Sequence, residues 1–207
     1  MGKLNMLLLA AAALIVVVVF VKMITGHDVY GNIRKRKNII TMKGTPLTLL
    51  GKELKIGDKA PDFKMLDISM NPVTLKDSTG KIRLFSVVYS LDTGVCDLQT
   101  LRFESEALKT GPNVIVYAVS MDLPFMQKRY CGAKNISALK TLSDYKDASF
   151  GINYGVLIEE TRLLARSVFI VDDKAIVRYV EYVKDISNAP NFDNALKALK
   201  EITESPK

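Results

Sequence analysis

Two runs read as buried strands, and they constrain the fold more than anything else in the chain. Lys81–Tyr89 (KIRLFSVVY) and Asn113–Ser120 (NVIVYAVS) are rich in β-branched and aromatic residues, the composition of a strand inside a sheet. Between them, Val95–Thr110 has helical spacing, with Leu98, Leu101, Ala107 and Leu108 as expected core positions, and Gly111-Pro112 stops it. Pro124–Tyr130 reads as a helix with proline in its first turn. Arg166–Val171 and Ala175–Val183 read as strands around an Asp172-Asp173 turn, and Asn191–Ile202 as a final amphipathic helix. Upstream, Pro46–Leu50 and Glu53–Ile56 flank Gly51-Lys52 and predict a hairpin. Strand, helix, strand, helix, then two strands and a helix imply an α/β fold with a central mixed sheet flanked by helices.

The N-terminus carries a run of another kind. Met6–Val21 holds sixteen residues without a charged or polar side chain, and with Leu4 and Met23-Ile24 the apolar zone reaches twenty-one positions, interrupted by Asn5 and Lys22. A bilayer core of about 30 Å needs roughly 17–25 helical residues. Residues 1–25 are therefore expected to form one transmembrane helix, with Lys22 snorkelling. A cleaved signal peptide is the competing reading, but Ala10–Ala13 sit in mid-run and no small-residue cleavage site follows Val21. Residues 26–43 then read as a basic juxtamembrane linker and 44–207 as the globular domain. Lys22, Arg34, Lys35, Arg36 and Lys37 follow the span while Lys3 alone precedes it. Counting positive charge in this way predicts a single-pass protein of the cell membrane with its domain in the cytoplasm.

The net charge of +7 belongs to the same region. Residues 1–43 hold seven Lys/Arg and one acid, whereas the other 164 residues hold 22 basic and 21 acidic side chains. The globular part has no charge bias toward a phosphate backbone, which argues against nucleic acid as partner.

Candidates for chemistry are few. Two cysteines and one histidine exclude a disulfide scaffold and the common zinc sites. Cys96 follows the first buried strand and falls in the first turn of the predicted helix. Free N–H groups and the positive end of the helix dipole favour an anion there, the setting in which a thiol becomes a thiolate. His27, the one histidine, lies beside the apolar run, which argues against a Cys–His dyad. Activation then falls to a cation, with Arg102 and Arg166 as candidates. Cys131 lies 35 positions after Cys96, without a Cys-x-x-Cys motif. The pair is open to three readings: a structural disulfide, two free thiols, or a catalytic pair in which a sulfenic acid condenses with a second thiol.

Six segments around these residues carry a resemblance. Lys43-Gly-Thr-Pro-Leu-Thr-Leu49, Gly57-Asp-Lys-Ala-Pro-Asp-Phe63, Ser90-Leu-Asp-Thr-Gly-Val-Cys96, Ser120-Met-Asp-Leu-Pro-Phe-Met-Gln-Lys-Arg-Tyr-Cys-Gly132, Thr141-Leu-Ser-Asp144 and Leu163-Leu-Ala-Arg-Ser-Val-Phe169 run in order through the chain. In order and spacing they resemble the thiol peroxidases, the atypical two-cysteine branch of the peroxiredoxins. The resemblance implies a thioredoxin-like fold with an added N-terminal β-hairpin. It implies that Cys96 is the peroxidatic cysteine, Cys131 the resolving one, Thr93 the hydroxyl that contacts peroxide and thiolate, and Arg166 the arginine that steadies them. It further implies an intramolecular disulfide, a thioredoxin or similar dithiol reductant, a homodimer, and no metal, haem or flavin. Two positions depart from the family pattern: Tyr89 stands where proline is usual, and Leu101 where arginine is common. The expected function is thiol-dependent reduction of hydrogen peroxide and organic hydroperoxides. The alternative is a membrane-tethered interaction or redox-sensing protein on the same fold.

Overall fold

The computed structural model describes residues 31–204, and one compact unit begins at Ile33. In chain order the elements are β1 (Lys35–Met42), β2 (Thr45–Leu50), β3 (Lys64–Leu66), β4 (Pro72–Thr74), a 3-10 turn (Leu75–Ser78), β5 (Ile82–Val87), α1 (Gly94–Ala107), β6 (Val114–Ser120), α2 (Pro124–Lys134), β7 (Lys140–Ser143), α3 (Ser149–Asn153), β8 (Leu157–Ile158), β9 (Ser167–Val171), β10 (Val177–Tyr182) and α4 (Phe192–Glu204). Seven strands form one sheet in the order β10-β9-β5-β6-β7-β3-β4. β5, β6 and β7 run parallel and the outer strands antiparallel, so the sheet is mixed. A smaller sheet, β1-β2-β8, carries the N-terminal hairpin.

The two buried runs take the middle because they are apolar on both faces. On one face Leu84, Val116, Ala118, Val168 and Ile170 pack with Phe103, Ala107, Ala195 and Leu199 from α1 and α4. On the other, Phe85 stacks on Tyr117 at 5.5 Å, and Phe63, Phe150, Tyr154, Phe169 and Tyr182 build an aromatic layer around them. This is the thioredoxin-like α/β arrangement that the resemblance implies.

Three expectations are corrected. The first concerns the membrane. Among the described residues no helix is long and apolar enough to cross a membrane. α1, α2, α3 and α4 hold 14, 11, 5 and 13 residues, and all but the five-residue α3 carry charged side chains, against the ~20 apolar residues that a bilayer requires. The transmembrane helix of the expected fold, and with it the single-pass membrane location, is withdrawn. The run at 6–21 itself lies outside the described residues. The second correction is the hairpin, which turns at Lys43-Gly44 rather than at Gly51-Lys52. Both turn residues have positive φ, 50° and 80°, as a two-residue hairpin loop demands. Gly51 is glycine for a different reason: at φ +100° a Cβ there would collide with the Ile152 carbonyl. The basic run expected as linker supplies β1. Arg36 donates through Nε to the Gly51 carbonyl at 3.1 Å and through Nη2 to the Gly155 carbonyl, with its guanidinium over the Tyr182 ring.

The third correction is the face of α1. Leu98, Leu101 and Leu108 are 56%, 37% and 64% exposed. The buried stripe is Cys96, Gln99, Thr100, Phe103, Glu104 and Ala107. That stripe keeps the i, i+3, i+4 spacing but is half polar, and each polar member has a partner. Thr100 Oγ1 donates to the Cys96 carbonyl at 2.8 Å. Glu104 accepts from the backbone N–H groups of Ser137, Ala138 and Leu139 at 2.8–3.2 Å. Burial pushes the Glu104 carboxyl up, but those donors outweigh it and hold it below the usual range.

Asp144 illustrates the opposite balance. Its carboxylate accepts from the N–H groups of Phe150 and Gly151 at 3.1 and 2.7 Å, yet burial dominates and pushes its pKa up to about 6. A carboxyl more basic in the folded than in the unfolded chain favours the folded state as pH falls from 6 toward 4. Relative to Asp144→Asn, the parent protein is expected to gain up to ~3 kcal/mol between pH 7 and pH 4, at 1.36 kcal/mol per unit. Urea midpoints of both proteins across that range measure the difference; parallel curves would assign Asp144 an ordinary titration.

Candidate active site

The end of β5 leads directly into the site. Val88 still bonds to the sheet, its N–H donating to Val119 O at 2.9 Å, and residues 89–93 then turn into α1. Asp122, just past β6, holds that turn: its carboxylate accepts from Ser90 Oγ and from Leu91 N, both at 2.8 Å. Thr93 is the N-terminal cap residue, extended at φ −127°, and its carbonyl accepts the Asp97 N–H at 2.8 Å. The first turn of α1 is thereby closed around Cys96, whose side chain is fully buried.

Arg166 reaches this sulfur from the neighbouring strand. β9 runs antiparallel to β5 with Ser167 opposite Val87. The residue just before β9 therefore arrives beside the start of α1. Its buried guanidinium donates Nε to Ile186 O at 2.9 Å, Nη1 to Gln99 Oε1 at 2.6 Å and Nη2 to Cys96 Sγ at 3.3 Å. Of these three acceptors only the sulfur can take a formal negative charge. A buried cation is tolerated only where its N–H groups find acceptors, and here all three acceptors are fixed in place. Gln99 is itself fixed, its Nε2 donating to Ser86 Oγ at 2.8 Å.

Not all expected residues converge. Thr93 is exposed at the mouth of the site, and its hydroxyl donates to the Ser90 carbonyl at 3.0 Å. Arg102 lies on the surface of α1 and pairs with Glu106 at 3.6 Å. Cys131 sits on α2, half-buried against the same core cluster as Cys96, with Thr141 Oγ1 at 3.7 Å from its sulfur. Both cysteines are free thiols. Burial pushes the Cys131 thiol up, Glu104 adds to the effect, and the Thr141 contact offsets part of it. Tyr89 is half-buried and packs on the helix-side core. Gln99, Ser86 and Asp122 were not singled out from sequence. The available signal was a polar residue three positions after Cys96, in register with the buried stripe.

A thioredoxin-like domain with a buried helix-start cysteine under a fixed guanidinium defines a redox-active thiol protein. Comparison with known proteins narrows this. The Redoxin family model matches residues 55–199. The thiol peroxidase of Halalkalibacterium halodurans is 55% identical over 161 residues, covering 78% of this chain and 96% of that protein. That of Bacillus subtilis is 51% identical over 165 residues, covering 80% and 98%. Among solved structures, a peroxiredoxin-like protein from Aquifex aeolicus is 36% identical with a TM-score of 0.75, covering 82% of this chain and 98% of that one. The chain belongs to the Redoxin family, and it is a thiol-dependent peroxidase of the peroxiredoxin type.

Because Gln99 is the amide that orients Arg166, Gln99→Leu is expected to lower the second-order rate with hydrogen peroxide about tenfold. A hydrogen bond to a charged group contributes ~1.5–3 kcal/mol, and 1.4 kcal/mol is a factor of ten. Stopped-flow peroxide consumption checks this, and an unchanged rate would show that Ile186 O alone orients the guanidinium.

Proposed function

We propose that Cys96 is the peroxidatic thiol, that Cys131 resolves it within the same chain, and that a thioredoxin-type dithiol closes the cycle. The observation that carries this reading is the Arg166 Nη2–Cys96 Sγ contact of 3.3 Å at the start of α1. Cys96 thiolate attacks the terminal oxygen of a hydroperoxide. The O–O bond breaks, the sulfur becomes a sulfenic acid, and the other oxygen leaves with a proton as water or alcohol. Arg166 donates into the charge that develops between sulfur and oxygens, the kind of preorganised electrostatics that contributes most to catalysis. Thr93, at the mouth, offers its hydroxyl to the incoming peroxide. Cys131 sulfur then displaces the sulfenic oxygen, which leaves as water, and an S–S bond forms. A dithiol reductant exchanges with that bond and returns both thiols. Leu98, Leu101, Leu123 and Phe125 are exposed apolar side chains on α1 and at the entry to α2. They support the homodimer that the resemblance implies.

Cys96→Ser is expected to abolish peroxide turnover with a thioredoxin system. Cys131→Ser is expected to consume one equivalent of peroxide and then stall. Substantial turnover by Cys96→Ser would overturn the assignment. Tyr89→Pro addresses the departure in the active-site loop. Proline fixes φ and stiffens the approach to Ser90, so the variant is expected to react with peroxide faster than the parent, by a few-fold in the same assay.

A further inference from the structure

Two of the three acceptors that hold the Arg166 guanidinium lie on α1; the third, the Ile186 carbonyl, does not. Ile186 belongs to residues 183–187, which follow β10 and lie outside every strand and helix. This segment grips Arg166 twice. The Val183 N–H donates to the Arg166 carbonyl at 3.1 Å, and the Ile186 carbonyl accepts Arg166 Nε at 2.9 Å. The first bond continues the ladder between β9 and β10, in which Tyr182 stands opposite Ser167. The second does not. Beyond Val183 the chain has left the sheet, and something else must fix the Ile186 carbonyl.

The hold comes from the N-terminal hairpin. The Thr41 N–H donates to the Lys184 carbonyl at 2.7 Å, and the Ile186 N–H donates to the Thr41 carbonyl at 2.9 Å. Asp185, between these two bonds, turns its carboxylate onto the hairpin. Its Oδ2 accepts Thr41 Oγ1 at 2.9 Å and the Gly44 N–H at 3.0 Å, and its Oδ1 accepts the Lys43 N–H at 3.2 Å. Oδ1 also accepts the Ser187 N–H at 3.0 Å and the Ser187 hydroxyl. The Ser187 hydroxyl first, then the Gly44 N–H, hold the Asp185 carboxyl well below the usual carboxylate range, so it stays an anion. One charged group thus ties the hairpin turn on one side to the residue after Ile186 on the other, and Ile186 is buried between them.

We infer that Asp185 is a positioning residue for the peroxide reaction: by tying residues 184–187 to the hairpin turn it fixes the Ile186 carbonyl, and through that carbonyl it aims the Arg166 guanidinium at Cys96. The inference rests on the proposed role of Cys96 and extends it to a residue whose own bonds go to the hairpin and to Ser187. Without the carboxylate, the Ile186 carbonyl loses its fixed place. Arg166 then keeps one immobile neutral acceptor, the Gln99 amide. The guanidinium swings about that bond, and Nη2 points at the sulfur for a smaller fraction of the time. The hairpin is in this way a support of the active site as well as a cover for the sheet.

The reduced full chain is mixed with hydrogen peroxide in a stopped-flow instrument, and a proton–nitrogen NMR spectrum follows the Nε–H signals of Arg166 and Arg83. Arg83 is the internal control, since it is as buried as Arg166 and its Nε donates to Ser78 Oγ at 2.9 Å, in the 3-10 turn. Asp185→Ala removes both acceptor oxygens, Asp185→Asn keeps one, and Thr41→Val removes a single donor to the carboxylate. Displacing a positioning group slows a reaction without touching the reacting atoms, so Asp185→Ala is expected to lower the second-order rate about three- to tenfold and the two milder variants to lower it less. In each slowed variant the Arg166 Nε–H signal should shift and exchange faster with water, while the Arg83 signal stays. The milder variants carry the test if Asp185→Ala does not fold. A parent-like rate in every folded variant overturns the role of Asp185. So does a slowed rate with an unmoved Arg166 signal, or a shift of both arginine signals, which marks general loosening. These results leave the role of Cys96 standing. Rapid reaction with peroxide that survives in Cys96→Ser overturns that role, and the assignment of Asp185 with it.

Discussion

The Arg166 guanidinium is the interaction on which the rest of the site depends. It is a buried cation, and burying one is tolerable only when its N–H groups are met. The molecule meets them from three separate places: the sulfur of α1, the Gln99 amide one turn later, and the Ile186 carbonyl beyond β10. Arg83 makes the contrast. It too is buried, but it donates to the Ser78 hydroxyl and to backbone carbonyls, and burial pulls its pKa down. One arginine serves packing beneath the sheet. The other reaches the Cys96 sulfur at the start of α1.

This requirement explains why α1 is built inside out. A helix lying on a sheet normally buries its leucines. Here the stripe that faces the sheet must deliver Cys96, its orienting amide and the Glu104 carboxylate that gathers the Ser137–Leu139 backbone. The leucines are left on the outer face. The helix trades apolar burial for a satisfied polar network, which stays affordable because each buried polar member has its partners.

The same network ties both ends of α1 to the α2 region. Asp97, in the first turn, accepts the Tyr130 hydroxyl at 2.8 Å, and Glu104, in the last, accepts the Leu139 N–H at 2.8 Å.

The periodicity of the sequence by itself determined the α/β class, the two central strands, the helices after them and the helix-start position of Cys96, because these follow from local composition. The resemblance, not the periodicity, paired Cys96 with Arg166, and it did not give the geometry. The same local reading misplaced the hairpin, since Gly51 is required by the approach of Ile152 and not by a turn. It also took Leu98, Leu101 and Leu108 for core. Which face of a helix is buried depends on what waits across the interface. Ser86, Ile186 and the 137–139 backbone are brought there only by the sheet order. Gln99, Asp122 and the Asp97–Tyr130 contact were decided in tertiary structure for the same reason: a polar side chain's role is set by its partner, and these partners lie 13 to 67 residues away in the chain.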